Sequence, residues 1–276
     1  MRHLAPPDAK AVDTYNLTLS RMKAGDLHRR MVEATNQIDD ASKRYIAAAL
    51  AGGLAAEPTF NLTDVSEEEM AEHYAGRFVK KSSAGRPVYD EIRLRARICP
   101  MCGHRTVATL DHFWPKRPHS ALAVNPANLV PCCHDCNVIK NNFQPSCRAE
   151  ELLHPYFDDL GDDSWLQAEV VDSGGHPVVL FSPQPPPGWP EETTRRVVHH
   201  FRLFDLANLY AMQAATELVA IAHEVADVFQ NAGNAGVRAH LSLRADSYGK
   251  AQPNSWQTAM YRALADSVAY CGGWFS

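Results

Sequence analysis

The sequence of 276 residues contains neither a long hydrophobic run nor an apolar leader. No apolar stretch reaches the roughly 18 residues that a membrane-spanning helix requires. The first ten residues, Met1 to Lys10, lack the hydrophobic core of a secretory signal. We therefore expect a protein that avoids membranes, is not exported and works in the cytoplasm.

The chain also lacks an excess of positive charge, with 27 Lys and Arg residues against 32 Asp and Glu residues and a net charge of -5. A negative chain is not typical of nucleic-acid binders, although local fields rather than net charge steer charged ligands. Residues 91–148 reverse the balance, because eight basic and three acidic residues give this segment +5 and leave -10 on the remainder. A basic segment on an acidic chain predicts contact with phosphate at one place.

Cysteine is present in an odd number, seven, and five of these residues fall between positions 99 and 136. Two pairs have the spacing of metal knuckles: Cys99-Pro-Met-Cys102 and Cys133-His-Asp-Cys136. Two tight turns that each supply two thiolates match a tetrahedral structural Zn²⁺ site in a reducing compartment. A redox dithiol and chance packing of buried thiols are the alternatives. Cys132 is a rival to Cys133 at a different spacing, and we expect Cys147 and Cys271 to be buried thiols.

Thirty residues separate the two knuckles, so a zinc ion would join the ends of an inserted element. Within the insert, residues 106–113 are rich in β-branched and aromatic side chains and predict a strand. Residues 128–132 predict a second short strand, and a helix is expected to begin near Cys136. The predicted order is therefore strand, loop, strand, helix.

The flanking regions have helical and hairpin patterns. Residues 14–51 predict one or two helices, and Ser66 with Glu69 forms a possible capping box for another helix. A short helix is expected over residues 89–97. After the knuckles, residues 165–171 and 177–181 predict a hairpin, and the strongest helix begins at Glu191, with an apolar face that we interpret as core.

Specific motifs lie in and after the insert: Asp111-His112-Phe-Trp-Pro, Asn128-Leu-Val-Pro, and Cys-x-x-Cys followed by Asn137-x-x-Lys140. Over about 45 residues this set resembles the HNH family of ββα-metal nucleases. The third motif position holds Asn137 rather than histidine, which is similar to the HNH domain of RNA-guided nucleases. The resemblance predicts an α+β fold with a zinc-stapled ββα core at residues 91–160. A helical region at 1–90 and a hairpin-plus-helix region at 161–276 would flank this core.

The resemblance also implies roles for the motif residues. His112 would be the general base that takes a proton from water, and Asn128 would steady the loop that carries it. Asp111 and Asn137 offer oxygen ligands, which suit Mg²⁺ or Mn²⁺ better than Zn²⁺. Lys140 lies one helical turn beyond Asn137 and is expected to contact phosphate.

The function that follows is an endonuclease that hydrolyses phosphodiester bonds of DNA and leaves a 5′-phosphate and a 3′-hydroxyl. Low sequence specificity is expected, with targeting by the helical regions or a partner protein. A role in phage defence or in a mobile element rests on family analogy alone. A non-catalytic zinc-ribbon module that binds nucleic acid is the first alternative, a redox or metal sensor is the second, and RNA is an alternative substrate.

Other polar residues near the knuckles have more than one interpretation. His119 could contact substrate or metal, but its place after a proline favours a solvated loop. Trp114 could wedge into a groove, but we expect it to pack in the core. We expect His104 and His134 to be exposed. Arg105, Lys116 and Arg117 could contact the nucleic-acid backbone, and a solvated surface is the alternative.

Overall fold

The computed structural model describes residues 2–275 and shows a mixed α+β fold with two small antiparallel sheets. The chain divides into two compact units, Met1–Asp159 and Leu160–Ser276. The predicted boundary at residue 90 lies inside the first unit. Across the part of the chain that the structure describes, every helix is too short or too polar to cross a membrane.

The first unit is mostly helical. Its helices are α1 Ala11–Leu19, α2 Asp26–Glu33, α3 Thr35–Ala51, α4 Glu67–His73, α5 Arg86–Leu94 and α6 His134–Lys140. Residues 14–51 therefore form three helices and not the predicted one or two. The first helix ends where the hydroxyl of Ser20 donates to the carbonyl of Leu17, 2.7 Å away, and so competes with the next helical turn.

Helix α4 begins with the predicted capping box, which is confirmed. Ser66 Oγ accepts a hydrogen bond from the Glu69 amide at 3.2 Å, and the Glu69 carboxylate accepts one from the Ser66 amide at 2.9 Å. The helix continues directly into a π-helical segment, Tyr74–Val79. Segments of this kind are rare and often occur at functional sites.

The insert between the knuckles forms two antiparallel strands, β1 Thr109–His112 and β2 Leu129–Cys132, which helix α6 follows directly. Asp111 lies opposite Val130, and His112 lies opposite Leu129. The predicted order of strand, loop, strand and helix is therefore observed. Strand β1 is shorter than predicted because Thr106 pairs instead with Ile98, across the first knuckle.

The described residues of the second unit form a hairpin followed by helices: β3 Leu166–Ser173, β4 His176–Pro183, α7 Glu191–Leu203, α8 Leu206–Ala251, α9 Trp256–Asp266 and α10 Val268–Cys271. The predicted hairpin is confirmed. Its two turn residues, Gly174 and Gly175, have φ values of 65° and 89°, which the two-residue turns of twisted hairpins require. The predicted apolar face is buried at Val197, Phe201 and Ile221, so it is core.

Helix α8 folds back on itself at Gly233, whose φ of 61° and ψ of -163° are not helical. Arg244 Nη2 lies 2.6 Å from Glu224 Oε2, although the two residues are 20 positions apart. A straight helix would separate them by about 30 Å along its axis. The element is therefore a pair of helices joined at a glycine.

Candidate functional site

The first knuckle is a tight turn closed by backbone hydrogen bonds. The Gly103 amide donates to the Cys99 carbonyl at 2.8 Å, and the Cys99 amide donates to the Arg105 carbonyl at 2.7 Å. Gly103 has a φ of 64°, a conformation that glycine adopts without steric cost. The Arg105 amide also points at Cys102 Sγ, 3.4 Å away, and so favours a thiolate at that position.

The second knuckle is the start of helix α6. Cys133 is the N-cap residue, and its sulfur accepts a hydrogen bond from the Cys136 amide at 3.4 Å. The sulfur atoms of all four predicted ligands are buried and lie within 4.8 Å of one another. They could hold a metal ion such as zinc, since four convergent sulfurs are the ligand set of structural zinc sites.

The remaining cysteines lie outside this group of four. Cys132 Sγ is 3.9 Å from Cys99 Sγ but belongs to β2, so the structure favours Cys133 as the fourth ligand. Cys271 is buried, as expected. Cys147 is exposed, and the prediction that it would be buried is wrong, because it lies in a loop after α6.

Asp111 and Lys140 form a buried ion pair, with Lys140 Nζ 3.1 Å from Asp111 Oδ2. The same ammonium donates to the His112 carbonyl at 2.7 Å. Burial raises the pKa of Asp111 to about 6, while the charge of Lys140 acts in the opposite direction. The sequence predicts that Lys140 contacts phosphate. Only 2% of this residue is exposed, so its side chain does not reach outward. It neutralises Asp111 and ties α6 to the end of β1.

His112 is half-buried and has a defined orientation. Its Nε2 lies 2.8 Å from the Ala123 carbonyl, an acceptor only, so Nε2 carries the proton and Nδ1 has the free lone pair. Burial lowers the pKa of His112 to about 3, so the ring is neutral near pH 7. The free Nδ1 is the atom that can accept a proton from water, and the lowered pKa makes this ring a weaker base than an exposed histidine.

Asn128 fixes the loop that follows β1. Its Oδ1 accepts from the Trp114 amide at 2.7 Å, and its Nδ2 donates to the Trp114 carbonyl at 2.9 Å. Both residues are buried, so Trp114 packs in the core as expected. These contacts are what a residue that steadies the histidine loop would make.

Asn137 lies in the first turns of α6, directly after Cys136, and is half-buried. Its side chain makes no hydrogen bond to another residue in the described range 2–275, so its amide oxygen is available to a ligand. The structure thus joins Asp111, His112 and Lys140 by direct contacts. It places Asn137 one helical turn before Lys140 on the same helix.

Tyr74 is a member of the site that the sequence pattern did not reveal. Its ring packs against the His112 ring with centroids 4.6 Å apart and an interplanar angle of 61°. Lys116 Nζ lies 5.0 Å from the centroid of the same ring. The sequence predicts only a helix after the capping box at Ser66, and no local signal indicates the π-helical segment that Tyr74 begins.

His119 is buried, and the expectation of a solvated loop is wrong. Its Nδ1 accepts a hydrogen bond from the Phe60 amide at 3.2 Å, and its ring packs edge-on against Trp114 with centroids 4.7 Å apart. Burial lowers the pKa of His119 to about 4. His134 is exposed as expected, whereas His104 is only half-exposed.

Comparison with known proteins gives one informative similarity. The chain is 29% identical over 230 residues to Protein ea31 of Escherichia phage lambda. The matched region covers 77% of this chain and 76% of that protein. No family model matches the chain, and no solved structure matches it.

Proposed function

We propose that this protein is a metal-dependent endonuclease of the HNH type that hydrolyses phosphodiester bonds of DNA. The observation that carries the proposal is the state of His112, a neutral imidazole with Nε2 directed at a carbonyl and Nδ1 free. It adjoins the buried carboxylate of Asp111 on strand β1, whose first residue, Thr109, pairs with Cys132 next to the four-cysteine group.

The chemistry assigned to the chain is a hydrolysis in which His112 moves one proton. Nδ1 of His112 takes a proton from water as the water oxygen forms a bond to phosphorus. The bond from phosphorus to the 3′ oxygen breaks, and that oxygen receives a proton from solvent. The products are a 5′-phosphate and a 3′-hydroxyl. Asn128 holds the loop after β1, so the ring stays in place during this transfer.

The oxygen donors at the site fit a hard divalent cation. Asp111 Oδ2 is buried and accepts no hydrogen bond of good geometry, and the Asn137 amide is free of partners among the described residues. A Mg²⁺ or Mn²⁺ ion held by these two residues would neutralise charge that develops on the phosphate. Zinc in the four-cysteine group would serve the fold alone.

The relative from a phage supports a role connected with mobile genetic elements. The basic balance of residues 91–148 supports nucleic acid as the substrate class. The proposal includes a partner protein that directs the nuclease to its DNA site. A site that contacts only the sugar–phosphate backbone of DNA has little sequence preference of its own.

A specific observation favours a second candidate, a non-catalytic zinc-ribbon module that binds nucleic acid. Lys140 already neutralises Asp111, and both side chains are buried. A carboxylate engaged in this way would contribute to stability without binding a catalytic cation.

The two candidates are separated by incubating supercoiled plasmid with the purified protein and Mg²⁺ or Mn²⁺. We expect nicking by the wild type and a loss of about 10²–10⁴-fold in rate for His112→Ala, the range for removal of a general base. His176→Ala, an exposed histidine in the second unit, is the matched control and should cleave normally. Absence of nicking with either metal, together with intact DNA binding, would establish the second candidate. Parallel digestion of RNA defines the substrate.

A further inference from the structure

Three basic side chains of the insert are candidates for contact with the nucleic-acid backbone, and the structure distinguishes them by their partners. Arg105 Nε lies 2.8 Å from Asp135, and Arg117 Nη2 lies 3.8 Å from Glu68. Lys116 makes no ion pair with any carboxylate of residues 2–275. It is therefore the cation of the three whose charge is still available.

The position of Lys116 is fixed by Tyr74. Its ammonium lies over the Tyr74 ring, and the same ring packs against the imidazole of His112. Tyr74 is only 8% exposed and begins the π-helical segment. One aromatic ring thus holds an ammonium and the imidazole on the same patch of the first unit.

An aromatic ring does not neutralise a cation. A cation–π contact contributes about 0.5–1 kcal/mol at an exposed position, which is less than a charge-assisted hydrogen bond. Lys116 is half-buried, and burial lowers its pKa. A partly desolvated ammonium without a counter-ion is stabilised by a nearby anion. In the proposed reaction, the anion beside His112 is a phosphodiester.

We propose that Lys116, held on the ring of Tyr74, binds a backbone phosphate of the nucleic acid beside His112, and that Tyr74 positions both side chains. This inference rests on the proposed nuclease function, because it assigns a substrate contact to the same site. Lys116 acts in binding, and Tyr74 acts as a positioning residue.

The first test measures binding of a DNA duplex by Lys116→Gln without added divalent metal, over a series of salt concentrations. We expect binding about 3–10-fold weaker and a salt slope smaller by about 0.9, the value for one phosphate contact. Lys43→Gln is the matched control, because it removes the same charge from an exposed side chain of the first unit. Equal weakening in the two variants would overturn the assignment by showing a general charge effect.

The second test compares Tyr74→Phe with Tyr74→Leu in plasmid cleavage, with the melting temperature measured for both. Phe keeps the ring and should retain the wild-type rate, whereas Leu should lower kcat at least 10-fold. Lys116→Gln should raise KM and leave kcat within about twofold. If Tyr74→Leu cleaves like Tyr74→Phe, the ring has no positioning role.

These outcomes distinguish the inference from the function on which it rests. A wild type that cleaves, with Lys116→Gln unchanged in binding and KM, refutes the phosphate contact and leaves the nuclease intact. A wild type that binds DNA without cleaving it refutes the nuclease, and the binding series then still decides whether Lys116 contacts phosphate.

Discussion

Several polar side chains of the candidate site are bonded to backbone atoms rather than to one another. His112 donates to the Ala123 carbonyl, and Lys140 donates to the His112 carbonyl. Asn128 forms hydrogen bonds with both the backbone amide and the backbone carbonyl of Trp114. Backbone partners are fixed by the fold, so these contacts hold the imidazole in one orientation before any ligand binds. Such preorganisation is what a proton acceptor in catalysis requires.

The first residue-scale prediction concerns Asn128. Replacement by Ala would leave the amide and the carbonyl of Trp114 buried without their partners, and each such group costs about 1–3 kcal/mol. We expect Asn128→Ala to lower the free energy of unfolding of the first unit by about 2–4 kcal/mol, measured by urea titration with hydrogen exchange. Asn125→Ala, which changes a neighbouring buried asparagine with one local backbone contact, should cost less. Equal losses would contradict the role given to Asn128.

The second residue-scale prediction is a pH dependence of stability from His73. This residue is buried and bonded to Thr18 Oγ1 at 2.6 Å, and burial, with a smaller effect of the Arg77 charge, lowers its pKa to about 4. Because this value lies below the ordinary 6.5, the unfolded chain takes up the proton first as the pH falls. The stability provided by neutral His73 is therefore complete above about pH 6.5 and is lost as the pH falls toward 4.

The loss from His73 amounts to about 2 kcal/mol by pH 5, from a difference of about 1.5 pH units at 1.36 kcal/mol each. Urea unfolding at pH 7 and pH 5 measures it, and His73→Gln should show a decline smaller by about that amount. The variant should keep part of the decline, since burial also lowers the pKa of His119. The same decline in variant and wild type would show that His73 does not titrate on unfolding.

Residue identities and spacings were sufficient to predict the four-cysteine group, because two Cys-x-x-Cys turns are local features. Contacts between distant segments could not be read in this way. Tyr74 reaches His112 from 38 positions away, and Lys140 turns inward to the Asp111 carboxylate and the His112 carbonyl, 29 and 28 positions before it. The burial of His119 likewise depends on Phe60. A one-dimensional pattern contains no information on such pairs.

At the scale of elements, local signals and local structure agree where a motif has a specific geometry. The capping box at Ser66 and the hairpin that follows the knuckles were both predicted and are both present. The break in α8 was not predicted, because a single glycine is tolerated inside helices and does not by itself mark a reversal. The ion pairs of Arg244 and His240 with Glu224 show that the chain folds back.

An element-scale prediction follows for this break. Gly233 has a φ of 61° and a ψ of -163°, a region that only glycine adopts readily, so Gly233→Ala should destabilise the second unit by about 1–3 kcal/mol. Gly249→Ala, inside the helical part of α8, has room for a methyl group and should be neutral or stabilise by up to about 1 kcal/mol. Thermal unfolding of both variants gives the comparison, and equal effects would mean that the strain at Gly233 is relieved by local rearrangement.

At the scale of the whole molecule, the two compact units differ in what holds them together. The first unit contains the four-cysteine group, and the second unit has a core of its own built from β3, β4 and the helices that pack on them. The sequence predicted the mixed fold and the hairpin-plus-helix region. It could not show that residues 1–90 and the insert belong to a single compact unit. That depends on packing of α5 on the small sheet and of α1, α3 and α4 on the loop between its two strands.

The last prediction is that metal binding stabilises the first unit far more than the second. Structural zinc sites contribute about 10–16 kcal/mol to folding, which is comparable with the entire stability of a domain. We expect Cys99→Ser to lose bound zinc and to raise hydrogen exchange across residues 97–140, while exchange in residues 166–183 changes little. Cys147→Ser, an exposed cysteine of the same unit, should keep one zinc per chain and wild-type exchange. A Cys99→Ser protein that is free of zinc but exchanges like the wild type would show that packing alone holds the ends of the insert together.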